Sequence, residues 1–333
     1  MNAKQILEEV RELQYKRAEE SGYKRLSKEE EKPFREWKVQ RYTEAIALDP
    51  RFGDAYAERG SELYFLGRRA EAKADMLEAF ELGVSSAELY FDIAMPFKGE
   101  QKREILRAGM KLVDRSSEET GWLYDHIYSD LIRSYWYEGN FSENARLLEE
   151  WIPQLNPTSQ LYGLAVQDLG MAYSALDRHA DAETVYRKAL AAAPQSERWY
   201  VADMVIRTLM HRNAYAEARR ALDEFRDGMP EARSTTFDAA LAELERPGSQ
   251  EARAACVAAL PAAEEQGRSP GPVGSKTSYS SFLLGIVYRG VGKNDQAAEI
   301  LTLFAEESAA NKLEWGVTQR WEIAKARELA SMR

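Results

Sequence analysis

Small, aromatic and turn-forming residues stand at fixed spacing between positions 166 and 194. The set consists of Val166, Leu169, Gly170, Tyr173, Ala182, Tyr186, Ala189 and Pro194. The same arrangement returns along the chain, and its central position is filled in turn by Gly60, Ile132, Gly170, Ile206 and Gly285. These positions are 72, 38, 36 and 79 residues apart, so each long interval leaves room for one further copy. Such a period indicates an array of repeated helical units.

The arrangement resembles the tetratricopeptide repeat, in which two helices are joined by a turn. The family's order of Leu-Gly, an aromatic, a small alanine, an aromatic and a closing proline is met almost position by position in residues 166–194. The resemblance extends over about residues 35–310. It implies an all-α, right-handed superhelical solenoid of about eight antiparallel helix pairs, in which Gly170 and Ala182 are small because two helices cross closely there.

The phase of the repeats also predicts the organisation of the chain. We expect N-terminal helices with a degenerate first repeat over residues 1–50 and a solenoid over 51–310. Within the solenoid, degenerate helix pairs fill the two long intervals, near 87–114 and 232–266. A C-terminal capping helix is expected over 311–333, where apolar residues recur at helical spacing.

Composition limits the class of partner and the compartment. A net charge of −10 argues against general binding to nucleic acid, which requires clustered Lys and Arg. The N-terminus has no apolar signal core and no long apolar run could span a membrane, so we expect a cytoplasmic protein without membrane contact. The single cysteine, Cys256, permits no internal disulfide.

The residue types that carry out catalysis or bind metals do not form a recognisable pattern. The three histidines, His126, His179 and His211, are never paired at metal-ligand spacing. Cys256 lies among alanine and valine, a setting that raises a thiol pKa. Residues 271–277 resemble a phosphate-binding loop, but an extra serine breaks the spacing. We therefore expect no catalytic residue, metal or cofactor.

The surface of the predicted solenoid gives the strongest indication of function. The first helix of each repeat lines the concave side, and aromatic residues, methionine and arginine are enriched in binding hot spots. The groove residues expected to bind a partner are Tyr64, Phe65, Arg133, Trp136, Tyr137, Met171, Tyr200, Arg207, His211, Phe282 and Arg289.

The three groove arginines, Arg133, Arg207 and Arg289, indicate what the groove would bind. Lying in one channel, they would hold an acidic or carboxylate-bearing segment of a protein or peptide. The alternative is that they neutralise neighbouring carboxylates such as Asp203 and Asp130.

The sequence thus predicts a non-catalytic scaffold or adaptor that binds a protein or peptide segment in a concave groove. A second hypothesis is a regulatory receptor whose groove binds a small peptide or metabolite and whose superhelical pitch changes on binding. An enzyme with an unrecognised site comes third.

Overall fold

A computed structural model of the chain describes residues 1–24, 26–115, 117, 121–192, 198–267, 276–310 and 319–332. Over these ranges the chain forms seventeen α-helices and no strand, which confirms the all-α class. Pro194, residues 271–275 of the segment resembling a phosphate loop and residues 311–318 of the expected capping helix lie outside the described residues. The chain divides into two compact units, residues 1–138 and 139–333.

Seven helices are formed by the part of unit 1 that the structure describes. They are α1 (Ala3–Glu20), α2 (Lys28–Leu48), α3 (Gly53–Phe65), α4 (Arg69–Leu82), α5 (Ala87–Ala94), α6 (Gly99–Met110) and α7 (Gly121–Tyr137). Each helix packs on the next along the chain, and α5 also contacts α3 and α7. The pair α5 and α6 lies in the first long interval of the repeat pattern, near 87–114.

The described residues of unit 2 form ten helices. They are α8 (Phe141–Trp151), α9 (Gln160–Ala175), α10 (His179–Ala192), α11 (Arg198–His211), α12 (Tyr215–Phe225), α13 (Glu231–Glu245), α14 (Gln250–Gly267), α15 (Tyr279–Gly290), α16 (Asn294–Ala310) and α17 (Arg320–Ser331). Successive helices from α8 to α17 pack on one another, and α13 also contacts α15. The pair α13 and α14 lies in the second long interval of the repeat pattern, near 232–266.

Close helix crossings occur where the sequence places glycine. A Cβ atom on Gly170 would lie 2.3 Å from the Tyr186 ring, and one on Gly285 would lie 2.4 Å from Leu301. Gly60 is crowded in the same way by Met76, at 2.8 Å. Since α9 and α10 meet through Gly170 and Tyr186, the aromatic of the second helix packs inside its own pair. These contacts confirm the phase of the repeats.

The turn inside a regular pair is built the same way each time. In the regular pairs that lie within one unit, the residue two positions after the end of the first helix has a positive φ, and these residues are Gly67, Asp177, Asn213 and Gly292. Glycine reaches this conformation without strain, and Asn and Asp tolerate it better than other side chains. The left-handed residue ends the first helix and turns the chain back for the second.

Unit 1 buries charge as well as apolar surface. Lys38, only 4% exposed, forms an ion pair with Glu62, and Arg35 donates to the other oxygen of the same carboxylate at 2.9 Å. Asp92 accepts a long hydrogen bond, 3.5 Å, from Ser61. Burial, reinforced by the charge of Glu58, raises the pKa of Asp92 to about 6. The ionised form of the Asp92 side chain therefore reduces the stability of unit 1, because burial disfavours its charge.

Candidate functional site

An open groove runs along unit 2 between the first helices of three successive pairs. Its volume is about 480 Å³, and its lining residues belong to α11, α13, the end of α14 and the start of α15. The lining residues are Trp199, Tyr200, Asp203, Met204, Arg207, Pro230, Arg233, Gln266, Ser278, Tyr279 and Ser280. We call this surface the unit 2 groove.

Helix α11 supplies the largest share of the groove because its two faces differ in character. Val205, Ile206 and Leu209 are fully buried between neighbouring helices. Tyr200 and Arg207 fall on the opposite stripe, two turns apart on the helix. Trp199 and Tyr200 remain 37% and 42% exposed, and their rings meet edge to face at 5.9 Å between centroids. The groove therefore presents two accessible aromatic rings.

A fixed ion pair forms one wall of the groove. The guanidinium of Arg233 donates to Asp203 at 2.9 Å and to the Ser280 hydroxyl at 2.9 Å. It also lies over the rings of Phe237 and Tyr279, at 4.7 and 5.2 Å from their centroids. These contacts join α11, α13 and α15, so the wall is held by side chains of three different repeats.

Arg207 lies at the edge of the groove and binds a carboxylate of the same chain. Its Nε and Nη2 atoms donate to Glu322 Oε1 at 3.2 and 3.0 Å, and its guanidinium stacks 4.1 Å above the Tyr279 ring. Glu322 belongs to α17 and is 0% exposed. Burial by itself would raise the pKa of Glu322, but the charges of His211 and Arg207 outweigh it and lower the pKa to about 2. Glu322 is therefore a buried carboxylate.

Two histidines extend this cluster. His211 Nε2 lies 2.9 Å from Glu322 Oε1, and the rings of His211 and His179 approach to 5.0 Å between centroids. Burial lowers the pKa of His179, and the neighbouring His211 lowers it further. The arrangement favours a neutral His179 beside the pair formed by His211 and Glu322.

Helix α17 covers the adjoining surface with apolar and backbone contacts. The Trp321 ring lies 5.5 Å from His211 and 6.1 Å from Phe282, measured between centroids. Phe282 is completely buried. Arg289 Nη1 donates to the carbonyl oxygens of Leu329 and Met332, both at 2.8 Å. The C-terminal helix is thus held at both of its ends.

The structure brings the predicted residues of unit 2 together. Met171, Arg207 and His211 line one small cavity between α9 and α11, and Tyr200 lies further along the groove. Phe282 and Arg289 lie on α15 against α17. Tyr200 is the member of this set most open to solvent, whereas the contacts of Phe282, Arg207 and His211 are with the chain itself.

The predicted arginines of unit 2 bind oxygen atoms, but their partners were not foreseen. Arg207 binds Glu322 and Arg289 binds backbone carbonyls. Asp203, expected as a neutralising neighbour, pairs with Arg233 instead. Whether Arg133 shares a channel with these arginines stays a prediction, because Arg133 belongs to unit 1.

In unit 1, the predicted aromatics of α3 stack on arginines. The Tyr64 ring lies 3.6 Å below the Arg69 guanidinium, and the Phe65 ring lies 4.7 Å from that of Arg35. Phe65 nevertheless keeps much of its ring exposed. Both residues lie at the end of α3, next to the turn.

The predicted residues of α7 share one stripe of that helix. Arg133 and Tyr137 are exposed, and Trp136 is half-buried. Asp130, the second carboxylate expected beside the arginines, forms an ion pair with Lys102 of α6 at 2.6 Å.

Sequence reasoning missed Glu322, Trp199 and Arg233 as parts of the site. Arg233 lies in a degenerate repeat, where the family signature is too weak to show which face of the helix is turned to the groove. Glu322 is separated from Arg207 by 115 positions, and no local pattern links the two. A buried glutamate on a capping helix is visible only in the folded chain.

The described residues show little that suggests catalysis or metal binding. Within the described ranges, no three histidine, cysteine or carboxylate side chains come together as a metal site. Cys256 is fully buried, and burial raises the pKa of its thiol to about 12. Among the described helices, none has an apolar stretch long enough to cross a bilayer.

Comparisons with known proteins identify the repeat. Residues 165–196 match the model of the tetratricopeptide repeat. No curated protein sequence matches the chain.

Similar solved structures include Pseudomonas aeruginosa pilF, with 21% identity, 65% of this chain and 90% of that chain covered, and a TM-score of 0.39. Part of a TPR repeat-containing protein from Cytophaga hutchinsonii is 14% identical over 92% of this chain and 98% of its own, with a TM-score of 0.43. Yeast Tom70 is 13% identical over 90% of this chain and 59% of its own, with a TM-score of 0.43.

Proposed function

Since the chain is a tetratricopeptide-repeat protein, we propose that it is a non-catalytic interaction scaffold that binds a peptide segment of another protein along the unit 2 groove. The observation that supports this most directly is the accessible ring pair of Trp199 and Tyr200 beside the ordered guanidinium of Arg233. Aromatic and arginine side chains in a concave surface are typical of binding hot spots.

The rigidity of the groove supports the same function. Arg233 is held by Asp203, Ser280 and two aromatic rings before any partner arrives. A side chain that is already ordered loses little conformational entropy on binding, so more of its interaction energy contributes to affinity. Trp199 and Tyr200 add large apolar area with few rotatable bonds.

A second candidate is a receptor for a small peptide or metabolite. The volume of the unit 2 groove, about 480 Å³, falls within the range of small-ligand pockets. The two candidates differ in ligand size, and a scaffold should bind segments long enough to pass from Tyr200 to the start of α15.

Selection of binders from a displayed library of random peptides tests the proposal. Peptides recovered on the intact protein should lose binding to the double variant Trp199→Ala/Tyr200→Ala, and single substitutions should each weaken binding by about 1–3 kcal/mol. Tyr15→Ala, which removes an exposed tyrosine from α1, is the matched control and should leave binding unchanged.

Circular dichroism of each variant must show wild-type helicity. Peptides that bind the double variant as tightly as the wild type would refute a partner site in the unit 2 groove. Failure to select any peptide, together with a small metabolite bound to the purified protein, would favour the receptor.

A further inference from the structure

Helix α17 shows what kind of segment unit 2 accepts next to the groove. Its C-terminal carbonyls, at Leu329 and Met332, accept hydrogen bonds from Arg289. A cation at the end of a helix interacts with the unsatisfied carbonyls and with the helix dipole, whatever the side chains of that helix are. Arg289 therefore recognises a helix end rather than a particular sequence.

Two adjacent side chains of α17 supply the sequence-specific contacts. Glu322 places Oε1 between Arg207 and His211, and Trp321 lies against the rings of His211 and Phe282. The residues that receive them come from α11 and α15, which are first helices of different repeats. This surface therefore recognises an aromatic residue followed directly by a residue with a carboxylate side chain.

The fit of α17 is incomplete in two respects. Among the described residues, Glu322 Oε2 and His211 Nδ1 are buried without a hydrogen-bond partner. Unsatisfied polar atoms reduce the stability that a buried network provides. In addition, the unit 2 groove, whose edge is Arg207, stays open beside α17. A longer segment could make the contacts of α17 and also reach Tyr200.

We propose that Arg207, His211, Phe282 and Arg289 form a helix-docking surface for a partner protein. The segment it binds is a helix in which an aromatic residue directly precedes a glutamate or aspartate, and α17 occupies the surface until such a segment replaces it. This inference rests on the proposed function and deepens it by naming the chemistry of the partner segment.

Competition between α17 and a free peptide tests the inference in the full-length protein. The probe is a fluorescently labelled synthetic peptide with the sequence of residues 319–332. In the wild type, α17 blocks the surface, and the apparent affinity is reduced by the small fraction of open molecules. The variant Trp321→Ala/Glu322→Ala removes both specific contacts of α17, and it should bind the peptide about tenfold more tightly or better.

Charge variants establish that the peptide uses the same carboxylate contact. In the opened variant, a further Arg207→Glu should abolish peptide binding. Arg220→Glu is the matched control, because Arg220 is an exposed arginine on α12, and it should have no effect. A peptide carrying Glu322→Lys should not bind the opened variant.

A milder variant keeps the test decisive if the double substitution disturbs folding. Glu322→Gln preserves the shape of the side chain, and it should still raise peptide affinity several-fold and speed hydrogen exchange in α17 alone. Equal affinity of the wild type and both opened variants, or equal binding of the Glu322→Lys peptide, would overturn the inference. Formation of a dimer by exchange of α17 between two copies would overturn it as well.

The outcome is separable from that of the proposed function. If the α17 peptide fails while library-selected peptides still require Trp199 and Tyr200, the scaffold function stands and the helix-docking surface does not. If both classes of peptide fail, the groove itself is refuted as a binding site.

Discussion

Replacement of Gly170 by alanine is the most direct test of the repeat packing. The added Cβ atom would lie 2.3 Å from Tyr186 Cζ and 2.4 Å from Cε1, whereas ordinary contacts begin near 3.4 Å. The ring must therefore move by about 1 Å or the two helices must separate. Tyr186 is only 2% exposed, and the cavity that it lines beside Met171 and His211 is small, so the ring has little room to move.

Two effects of opposite sign contribute to the free energy of unfolding. Alanine favours a helix over glycine by about 1 kcal/mol, while overpacking a close-packed core costs about 1–3 kcal/mol. Gly163 separates the two effects, because it lies on the same helix α9 and an added Cβ there has no neighbour within 4 Å. Gly163→Ala should stabilise unit 2 slightly, and Gly170→Ala should be about 1–3 kcal/mol less stable than Gly163→Ala.

Urea unfolding of both variants, followed by circular dichroism, measures the difference. Hydrogen exchange of the amides of α9 and α10 localises it, because stability in a repeat protein is a sum of repeats and nearest-neighbour interfaces. Leucine at position 170 should be worse than alanine because it brings more atoms to the same contact. If Gly170→Ala is as stable as Gly163→Ala, the close crossing of α9 and α10 is refuted.

Three further predictions concern charge. Burial and the neighbouring His211 lower the pKa of His179 in the folded protein, so as the pH falls the unfolded chain takes up a proton on His179 before the folded protein does. Unit 2 should therefore lose stability as the pH falls through 6.5, and thermal scans of His179→Gln should lack this part of the loss. The pKa of Asp92 is raised to about 6, so the stability of unit 1 falls as the pH rises through that value and the buried carboxyl group ionises. Asp92→Asn should stabilise unit 1 at neutral pH by up to about 3 kcal/mol in urea unfolding, and the absence of any gain would contradict the burial argument. Lys38→Met should destabilise unit 1 by about 2–4 kcal/mol, because it leaves the buried Glu62 carboxylate with Arg35 as its remaining ion-pair partner. The double variant Lys38→Met/Glu62→Leu should recover much of this loss, and equal losses in both variants would show that the ion pair contributes only packing.

The candidate site was predictable in its elements but not in its contacts. Tyr200 and Arg207 could be assigned to the groove because the packing face of α11 was known from the repeat phase. The solvent exposure of Arg207 could not be predicted, because the helix that covers it, α17, lies more than a hundred positions later in the chain. Arg233 was missed because the repeat that carries it lacks the signature.

The helix pairs could be predicted from the amino-acid sequence, because Gly170, Gly285 and the residues at the turns act through neighbours in the same repeat. Repeats of this kind are local structures, so a pattern of spacing is enough to predict them. The partner of Arg207 could be identified only in the folded chain. The carboxylate that pairs with Arg207 belongs to Glu322 of α17, a helix whose Trp321 ring also packs against Phe282. Contacts between residues so far apart leave no periodic trace in a sequence.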